Sequence, residues 1–311
     1  MSSGAAPTNS LHDMIPLLVD VQQNLDRDLD LRSLSCKYGY SLSHFQRIFS
    51  NSMGETPKEY VERLRLEKAA YKLQITDEPI FDVCLSVGFK NHETFTRAFR
   101  RYFGISPRDC RKNAKVLQIG RLEANRSFRG DGCHLSEVKF ESLRSTHLLS
   151  MLHVGTYSEI PAAFTKEDRI WSTLVDWAER HKVPYRPIPF SFYLDDPTVT
   201  PGAAQRTDAC IPIDASAKGT RTIRCIEFVG GAYAVAEHSG PNSTLLQGFR
   251  HVADAVRGSK QFGFRTDPAL AIARGLHGDK DSMLNRTDLY LPVRKVARKS
   301  KSSIYADKKE P

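Results

Sequence analysis

The stretch that decides the fold runs from Ile80 to Pro107 and reads IFDVCLSVGFKNHETFTRAFRRYFGISP. Apolar residues recur every three or four positions on both sides of Gly88, a spacing that predicts two amphipathic helices joined by a glycine turn. A second helix held out by such a turn can enter the major groove of DNA, so the pattern indicates a helix-turn-helix. One copy is a weak signal, because any helical hairpin can produce it.

The same plan occurs earlier in the chain. Leu31–Met53 reads LRSLSCKYGYSLSHFQRIFSNSM, with Gly39 at the turn. His92, at the start of the later second helix, follows Ser41 by 51 positions. Two copies predict an all-α domain with a tandem helix-turn-helix.

One long helix is predicted between the two copies. Thr56 can cap it, and Pro57 suits the first helical position, where the missing N–H forms no bond. The nineteen residues from Pro57 to Ile75 would span roughly 28 Å at 1.5 Å per residue. Successive major-groove faces on one side of a duplex are ~34 Å apart. This spacer would let both second helices read one side of DNA.

Helical spacing separates an apolar stripe from a polar face on each second helix. The polar side chains suit base edges, since Arg pairs with guanine, Gln with adenine, and Glu accepts from cytosine. Basic residues at the end of the second copy would neutralise phosphates. The candidate DNA-binding residues are Ser43, Gln46, Arg47, Lys90, His92, Glu93, Thr96, Arg97, Arg100 and Arg101.

Residues 11–112 resemble the DNA-binding domain of the AraC/XylS family of transcription regulators. The resemblance rests on Gly39-Tyr40-Ser41, on Val87-Gly88-Phe89, and on the run from Thr94 to Pro107. It implies base contacts near Ser43, Gln46, Arg47, His92, Glu93 and Arg97, with Thr96 nearer the DNA backbone. The predicted tandem helix-turn-helix would bind an asymmetric site as a monomer. Because Pro16 falls inside the expected first helix, that helix is expected to start near Pro16.

The chain changes character after a predicted linker at 113–134. Strand-like runs alternate with two helical stretches, Lys166–His181 and Asn242–Arg257, which predicts an α+β domain at 135–297. The run Arg206–Ile213 recurs as Arg286–Val293, so we expect two pseudo-repeated strand-helix-strand-strand units around a cleft. A disordered N-terminus at 1–10 and a basic disordered tail at 298–311 complete the predicted organisation.

The second half resembles the GyrI-like effector-binding domain. The match is carried by Val154-Gly155-Thr156-Tyr157, Phe192–Pro197, Gly231–Val235 and Thr287–Pro292. It implies a pocket for a small effector, apolar or aromatic here. The candidate effector-binding residues are Tyr157, Trp171, Tyr193, Tyr233, Asp288 and Tyr290.

One departure from that family concerns charge. The family often has a glutamate after the second helix of this domain, and here Ala271 stands at about that position. A buried organic cation without a counter-charge loses its hydration with little compensation. Either Asp288 supplies the charge or the effector is neutral.

Composition and motifs exclude several classes of protein. The chain has 311 residues, 40% hydrophobic and 26% charged, which suits two globular domains. Its six cysteines form no CxxC pair, so no metal site, disulfide framework or cofactor is expected. No apolar run approaches ~20 residues and no signal peptide is recognisable, which predicts a cytoplasmic protein that does not enter membranes.

The predicted function is a DNA-binding transcription regulator modulated by a small effector, with RNA polymerase as a further candidate partner. Two alternatives stay open for the C-terminal half: a small-molecule hydrolase, or a protein-interaction module without ligand. The chain contains no GxSxG, HExxH, GxxxxGK[ST] or GxGxxG motif, so we do not expect an enzyme.

Overall fold

The computed structural model describes residues 11–112, 132–157, 160, 169–197, 200, 202–275 and 284–296. The predicted N-terminus at 1–10, nearly all of the linker and the tail at 298–311 lie outside these residues. The described part is helical up to residue 112 and strand-rich from residue 134 onward, as the sequence predicted. The domain boundaries themselves stay predictions.

The N-terminal domain is built from helices joined by short turns. They are α1 (Leu11–Gln23), α2 (Leu31–Lys37), α3 (Leu42–Met53), α4 (Pro57–Ile75), α5 (Ile80–Ser86), α6 (His92–Phe103) and α7, whose described part is 107–112. The helix pairs α2–α3 and α5–α6 are the two predicted helix-turn-helix units, and α4 is the predicted long helix between them.

Local hydrogen bonds explain where the central helices begin. The Ser41 side chain accepts from the backbone N–H of His44, and the Asn91 side chain accepts from that of Glu93. Helix α4 begins with a capping box, in which the side chains of Thr56 and Glu59 each accept from the other's backbone N–H. These contacts satisfy N–H groups that have no partner inside the helix.

The turns at Gly39 and Gly88 both require glycine. Gly39 has φ of 79° and Gly88 has φ of 92°, values that side-chain-bearing residues rarely adopt. Around Gly88 the backbone is also crowded, since a Cβ there would lie 2.3 Å from the Leu25 carbonyl oxygen. The guanidinium of Arg65 donates to that same carbonyl at 2.8 Å, so α4 fixes the second turn against the end of α1.

The expected start of the first helix near Pro16 is wrong. Helix α1 begins at Leu11 and contains Pro16. An interior proline costs about 3 kcal/mol, whereas each fully buried leucine returns about 1.5–3 kcal/mol. Leu17 and Leu18 are at most 1% exposed, and the Tyr38 hydroxyl donates to the Pro16 carbonyl at 3.0 Å. Burial of the apolar face therefore outweighs the lost helical hydrogen bond.

Helix α4 belongs to both cores of the N-terminal domain. Its first half places Tyr60 and Leu64 in a cluster with the helix α3 residues Phe45 and Phe49. Its second half, Leu66 to Leu73, packs with Val83, Phe95 and Phe99 of the second unit. Movement of this one helix would therefore move both units.

The C-terminal domain is an antiparallel sheet with two helices. Its strands are β1 (His134–Leu135), β2 (Lys139–Leu143), β3 (Thr146–Val154), β4 (Phe190–Tyr193), β5 (Arg206–Ile213), β6 (Ile223–Phe228), β7 (Gly231–Ser239), β8 (Phe262–Phe264), β9 (Ala269–Gly275) and β10 (Arg286–Lys295). The helices are α8 (Ile170–Arg180) and α9 (Leu245–Gly258). Along the sheet the order is β1-β7-β10-β9-β4-β5-β3-β6, with β2 also on β7 and β8 on β10.

The strand order places two similar halves side by side. One half has the chain order β3, α8, β4, β5. The other half has the chain order β7, α9, β9, β10, with the short strand β8 between α9 and β9. Strands β4 and β9 pair antiparallel where the halves meet. The internal repeat stays a prediction.

Both helices cover the same face of the sheet. Trp171 and Leu174 of α8 pack with Ile211 of β5, and Val252 of α9 packs with Leu289 of β10. We call this side the helix face. Directly paired residues of neighbouring strands lie on the same side of a sheet. The pairs are Ala209 with Ser191, Ser191 with Ala271, and Ala271 with Leu289, so the helix face extends across the sheet from β5 to β10. The opposite side, which we call the open face, holds the buried side chains Leu148, Phe192, Cys210, Tyr233, Val235, Leu270, Ile272 and Tyr290.

Candidate DNA-binding surface and interdomain cleft

Helix α3 divides into a buried and an exposed face. Phe45 and Phe49 are 0% exposed and anchor the helix in the first core. The predicted readers Ser43, Gln46 and Arg47 are all exposed, and Gln46 and Arg47 have no side-chain hydrogen bond or ion pair among the described residues. Their donors and acceptors are therefore available to a partner.

Helix α6 repeats this division. Phe95 and Phe99 are fully buried, while His92, Glu93, Arg97 and Arg100 are exposed. Arg97 and Glu93 approach to 4.0 Å with side chains 72% and 78% exposed. An exposed pair of this kind is worth at most about 1 kcal/mol, so the contact leaves both side chains free to turn toward DNA.

Of the other predicted DNA-binding residues, two are held by ion pairs and one is half-buried. Lys90 pairs with Asp28 at 2.7 Å, and both are exposed. Arg101 makes a close ion pair with Glu62 of α4, which directs it toward the spacer helix. Thr96 is half-buried, and its hydroxyl oxygen has no hydrogen-bond partner among the described residues.

The two domains share a buried apolar contact. Leu152 of β3 is 2% exposed and belongs to the same cluster as Phe49 and Leu64 of the helical domain. Val154 and Leu194 pack at its edge. Because side chains alternate along a strand, Leu152 and Val154 lie on the open face. The helical domain thus covers part of the face that α8 and α9 leave open.

A buried ion pair lies beside this contact. The Arg206 side chain donates from Nε to the Asp195 carboxylate at 2.9 and 3.1 Å, and the Arg206 backbone N–H adds a bond of 2.7 Å. The side chains are 8% and 2% exposed. The Tyr157 hydroxyl donates to the Asp195 carbonyl at 2.7 Å and accepts from its N–H at 3.1 Å. Together these bonds fix the loop that follows β4.

This loop is electrostatically linked to α4. Burial raises the pKa of Glu67, the neighbouring Arg63 lowers it, and the Asp195 carboxylate raises it further. Arg63 is itself 6% exposed and bonds to Glu55 at 2.6 Å and to Glu67 at 3.3 Å. A change at Asp195 therefore changes the electrostatic environment of the helix that holds both helix-turn-helix units.

A large cleft opens between the domains next to this pair. Its volume is about 1440 Å³. Tyr157 and Tyr193 meet edge to face in its wall at 4.7 Å between ring centroids, and Tyr193 meets Phe249 at 5.4 Å. From the helical domain the lining residues include Gln22, Leu25, Leu64, Glu67, Lys68 and Tyr71. From the C-terminal domain they include Asp195, Leu246, Phe249, Arg250 and Ala253.

The structure divides the six candidate effector residues among three places. Tyr157 and Tyr193 line the interdomain cleft. Trp171 is 1% exposed in the core beneath α8. Tyr233 and Tyr290 are at most 2% exposed on the open face, where their ring centroids are 5.9 Å apart. Asp288, two positions before Tyr290 on β10, lies on the same face.

The acid proposed to replace the family's glutamate is already neutralised. Asp288 accepts from Arg274 Nε at 2.6 Å, and the Tyr290 hydroxyl donates to it at 3.3 Å. Ala271 lies on the helix face against α9, so the neighbouring open-face positions are Leu270 and Ile272. No uncompensated carboxylate of β9 or β10 is available on the described open face to attract a cation.

The adjacent residues Glu237 and His238 do not form a general-base pair. Glu237 pairs with Arg286 at 3.2 Å, whereas His238 is fully buried and its Nε2 lies 2.7 Å from Thr244 Oγ1, so these neighbours do not act together. Burial lowers the pKa of His238 to about 4. Across the described part of the chain no group of His, Cys, Asp and Glu has the arrangement of a metal site. The described helices also include none long and apolar enough to cross a membrane.

Most residues that line the cleft, apart from Tyr157 and Tyr193, were not predicted as ligand-binding residues from the sequence. Lys68 and Tyr71 lie on α4, which the sequence indicated only as a spacer, and Phe249 and Arg250 lie on α9. Nothing in the local sequence could connect the two helices, since Lys68 and Arg250 are 182 positions apart.

Comparison with known proteins matches both halves of the chain. Residues 34–113 match a helix-turn-helix domain family, and residues 136–294 match the GyrI-like small molecule binding domain family. The chain is 33% identical over 135 residues to the Right origin-binding protein of Escherichia coli (strain K12), covering 43% of this chain and 46% of that protein. The chain therefore spans about half the length of this relative.

Shorter matches concern the N-terminal domain. The chain is 35% identical over 103 residues to the regulatory protein SoxS of Salmonella typhimurium, covering 33% of this chain and 96% of SoxS. A crystal structure of an AraC-type transcriptional regulator from Chromobacterium violaceum aligns with a TM-score of 0.32 and 26% identity, over 33% of this chain and 91% of that one. The chain belongs to the AraC/XylS family of transcription regulators and carries a GyrI-like small-molecule binding domain.

Proposed function

We propose that this protein is a transcription regulator whose helices α3 and α6 read two adjacent major-groove segments of one DNA site. The observation that carries the proposal is the pair of exposed polar faces on α3 and α6, both anchored to the single helix α4. Its nineteen residues give a spacer of roughly 28 Å. The two units differ in their readers, so an asymmetric site bound by one copy fits them best.

The readers have complementary chemistry. Arg47 and Arg97 can each bond bidentately to guanine, and Gln46 to adenine. One good bidentate contact is worth about 1–3 kcal/mol of discrimination against the wrong base. Lys90, Arg100 and Arg101 would contact phosphates and contribute affinity without sequence information. Lys90 and Arg101 would first exchange their carboxylate partners for phosphate, which is inexpensive at exposed positions.

We further propose that a small molecule bound by the C-terminal domain changes DNA affinity. Such modulation requires the ligand to favour one arrangement of the two domains over another. Leu152 packs in the same cluster as Leu64 of α4, and the Asp195 carboxylate acts electrostatically on Glu67, so the C-terminal domain is coupled to α4. A ligand that shifts the loop at Asp195 would therefore act on both reading helices through α4.

Selection from a random duplex pool tests the reading of DNA. Purified full-length protein should enrich two short motifs about one helical turn apart. Arg47→Ala should remove the preference at one motif and Arg97→Ala at the other. Arg144→Ala replaces an exposed arginine on the loop between β2 and β3, far along the chain from both readers, and should leave both motifs unchanged. Failure of the folded protein to enrich any motif at low salt would contradict sequence-specific regulation.

A further inference from the structure

The interdomain cleft has an excess of positive charge once its ion pairs are counted. Six acids line the cleft: Asp195 is paired with Arg206, Asp254 with Arg257, Glu67 with Arg63 and Asp267 with Arg265, and the other two are Asp77 and Asp196. Two of its cations, Lys68 on α4 and Arg250 on α9, form no hydrogen bond or ion pair with any described residue. One of these cations comes from each domain.

Lys68 is an exposed residue, but the protein around its side chain disfavours its charge. Burial lowers the pKa of Lys68, the nearby Asp26 offsets part of this effect, and Lys72 adds to it. An incoming anion would remove this penalty, because an opposite charge favours the protonated amine. Arg250 remains charged in any protein environment and offers planar donors suited to a carboxylate.

Part of the cleft wall is aromatic and carries hydroxyl groups. Tyr157, Tyr193 and Phe249 form a continuous set of edge-to-face rings. Tyr71 faces them from α4, and the described residues offer its hydroxyl no hydrogen-bond partner. Burial raises the pKa of Tyr71 to about 12, with smaller contributions from the Asp196 and Asp267 carboxylates, so this group stays a neutral donor at physiological pH. Flat apolar surface with a few polar groups is typical of small-molecule sites.

We propose that the interdomain cleft binds an organic anion with an aromatic or apolar body, attracted by Lys68 and Arg250 and packed on Tyr157, Tyr193 and Phe249. The site differs from the open face of the sheet, which Tyr233 and Tyr290 fill in this structure. One wall of the cleft is α4 itself, so the ligand contacts the DNA-binding domain directly. This inference rests on the proposed effector modulation and assigns its site and ligand class.

The volume of the cleft is larger than that of a typical site for one small ligand. Drug-sized molecules occupy sites of about 300–1,000 Å³, and this cleft measures about 1440 Å³. A bound molecule would therefore fill part of the cleft and draw its two walls together. Drawing α9 toward α4 is the change in domain arrangement that would reach both reading helices.

Calorimetric titration with three probes of equal shape tests the proposal. The probes are 1-naphthylacetate, its neutral amide and 1-naphthylethylammonium, titrated into the full-length protein. We expect the anion to bind at least tenfold more tightly than the cation. Lys68→Gln and Arg250→Gln should each weaken binding of the anion about fivefold. Lys218→Gln, which changes an exposed lysine outside the cleft, should leave it unchanged.

Two results would overturn the site: equal or preferential binding of the cation, or unchanged affinity for the anion in both cleft variants. Failure of the site differs from failure of the proposed regulation. The affinity of the full-length protein for its selected DNA, measured with and without the anion, reports the regulation separately. Charge-selective binding that depends on Lys68 and Arg250, but leaves DNA affinity unchanged, supports the site and contradicts the modulation.

Discussion

Replacing Asp195 with asparagine removes the charge that compensates buried Arg206. Arg206 makes its side-chain bonds to this carboxylate at 2.9 and 3.1 Å, and its side chain is 8% exposed. Leaving one partner of a buried pair uncompensated costs about 3–5 kcal/mol. Asparagine retains one acceptor oxygen, so we expect a loss near the lower limit, about 3 kcal/mol. For a chain above 150 residues this corresponds to a fall in Tm of roughly 6–12 °C.

Urea unfolding of the full-length protein measures this loss, with a double variant as the critical comparison. Asp195→Leu combined with Arg206→Met replaces the whole pair with apolar groups and should unfold within about 1 kcal/mol of the wild type. Asp254→Asn breaks an exposed pair with Arg257, whose side chains are about 40% exposed, and should cost at most about 1 kcal/mol. Two results would contradict the role of the pair. In the first, Asp195→Asn lowers the free energy of unfolding by less than about 1 kcal/mol. In the second, the double variant loses as much as Asp195→Leu and Arg206→Met lose separately, added together.

Three further predictions follow from local geometry. His238 has a pKa of about 4 in the folded protein and near 6.5 in the unfolded chain, so it contributes about 3 kcal/mol to the free energy of unfolding above pH 6.5. This contribution is lost as the pH falls toward 4. Urea unfolding at several pH values should show the free energy of unfolding falling over this range, and His238→Gln should remove most of that fall. Gly88→Ala should lower the free energy of unfolding by about 2–4 kcal/mol, because its Cβ would lie 2.3 Å from the Leu25 carbonyl oxygen. Gly39→Ala should lower it by only the ~1–2 kcal/mol of its backbone conformation, because a Cβ there has nothing within 4 Å. Lys90→Gln should reduce the salt dependence of DNA binding by about one unit of slope without changing the selected motifs; a changed motif would make Lys90 a base reader.

The N-terminal domain could be predicted well because its signals are local. Ser41, Thr56 and Asn91 cap helices through bonds to residues two or three positions away, and Gly39 and Gly88 mark turns that few other residues tolerate. The predicted start of α1 was wrong because burial of the helix's apolar face in the tertiary structure outweighs the local cost of Pro16. A rule that considers only the residues next to proline cannot include this burial.

The C-terminal sheet was predicted less completely. Strand β5, from Arg206 to Ile213, is buried at every position, so it lacks the alternation that marks a half-exposed strand. Five of the six effector candidates are aromatic residues, and strand register decides which face of the sheet a strand residue occupies. It places Tyr193 with α9 and Tyr233 on the opposite side. The cleft itself joins residues from both domains, and no local pattern predicts such a juxtaposition.

Hydroxyl-radical footprinting on a selected duplex tests most directly the claim that two helices read one DNA site. We expect two protected segments on one side of the duplex, centred about ten base pairs apart. Arg47→Ala should weaken protection mainly at one segment and Arg97→Ala mainly at the other. A single protected segment, or two segments on opposite sides of the duplex, would show that α3 and α6 do not read one DNA site together.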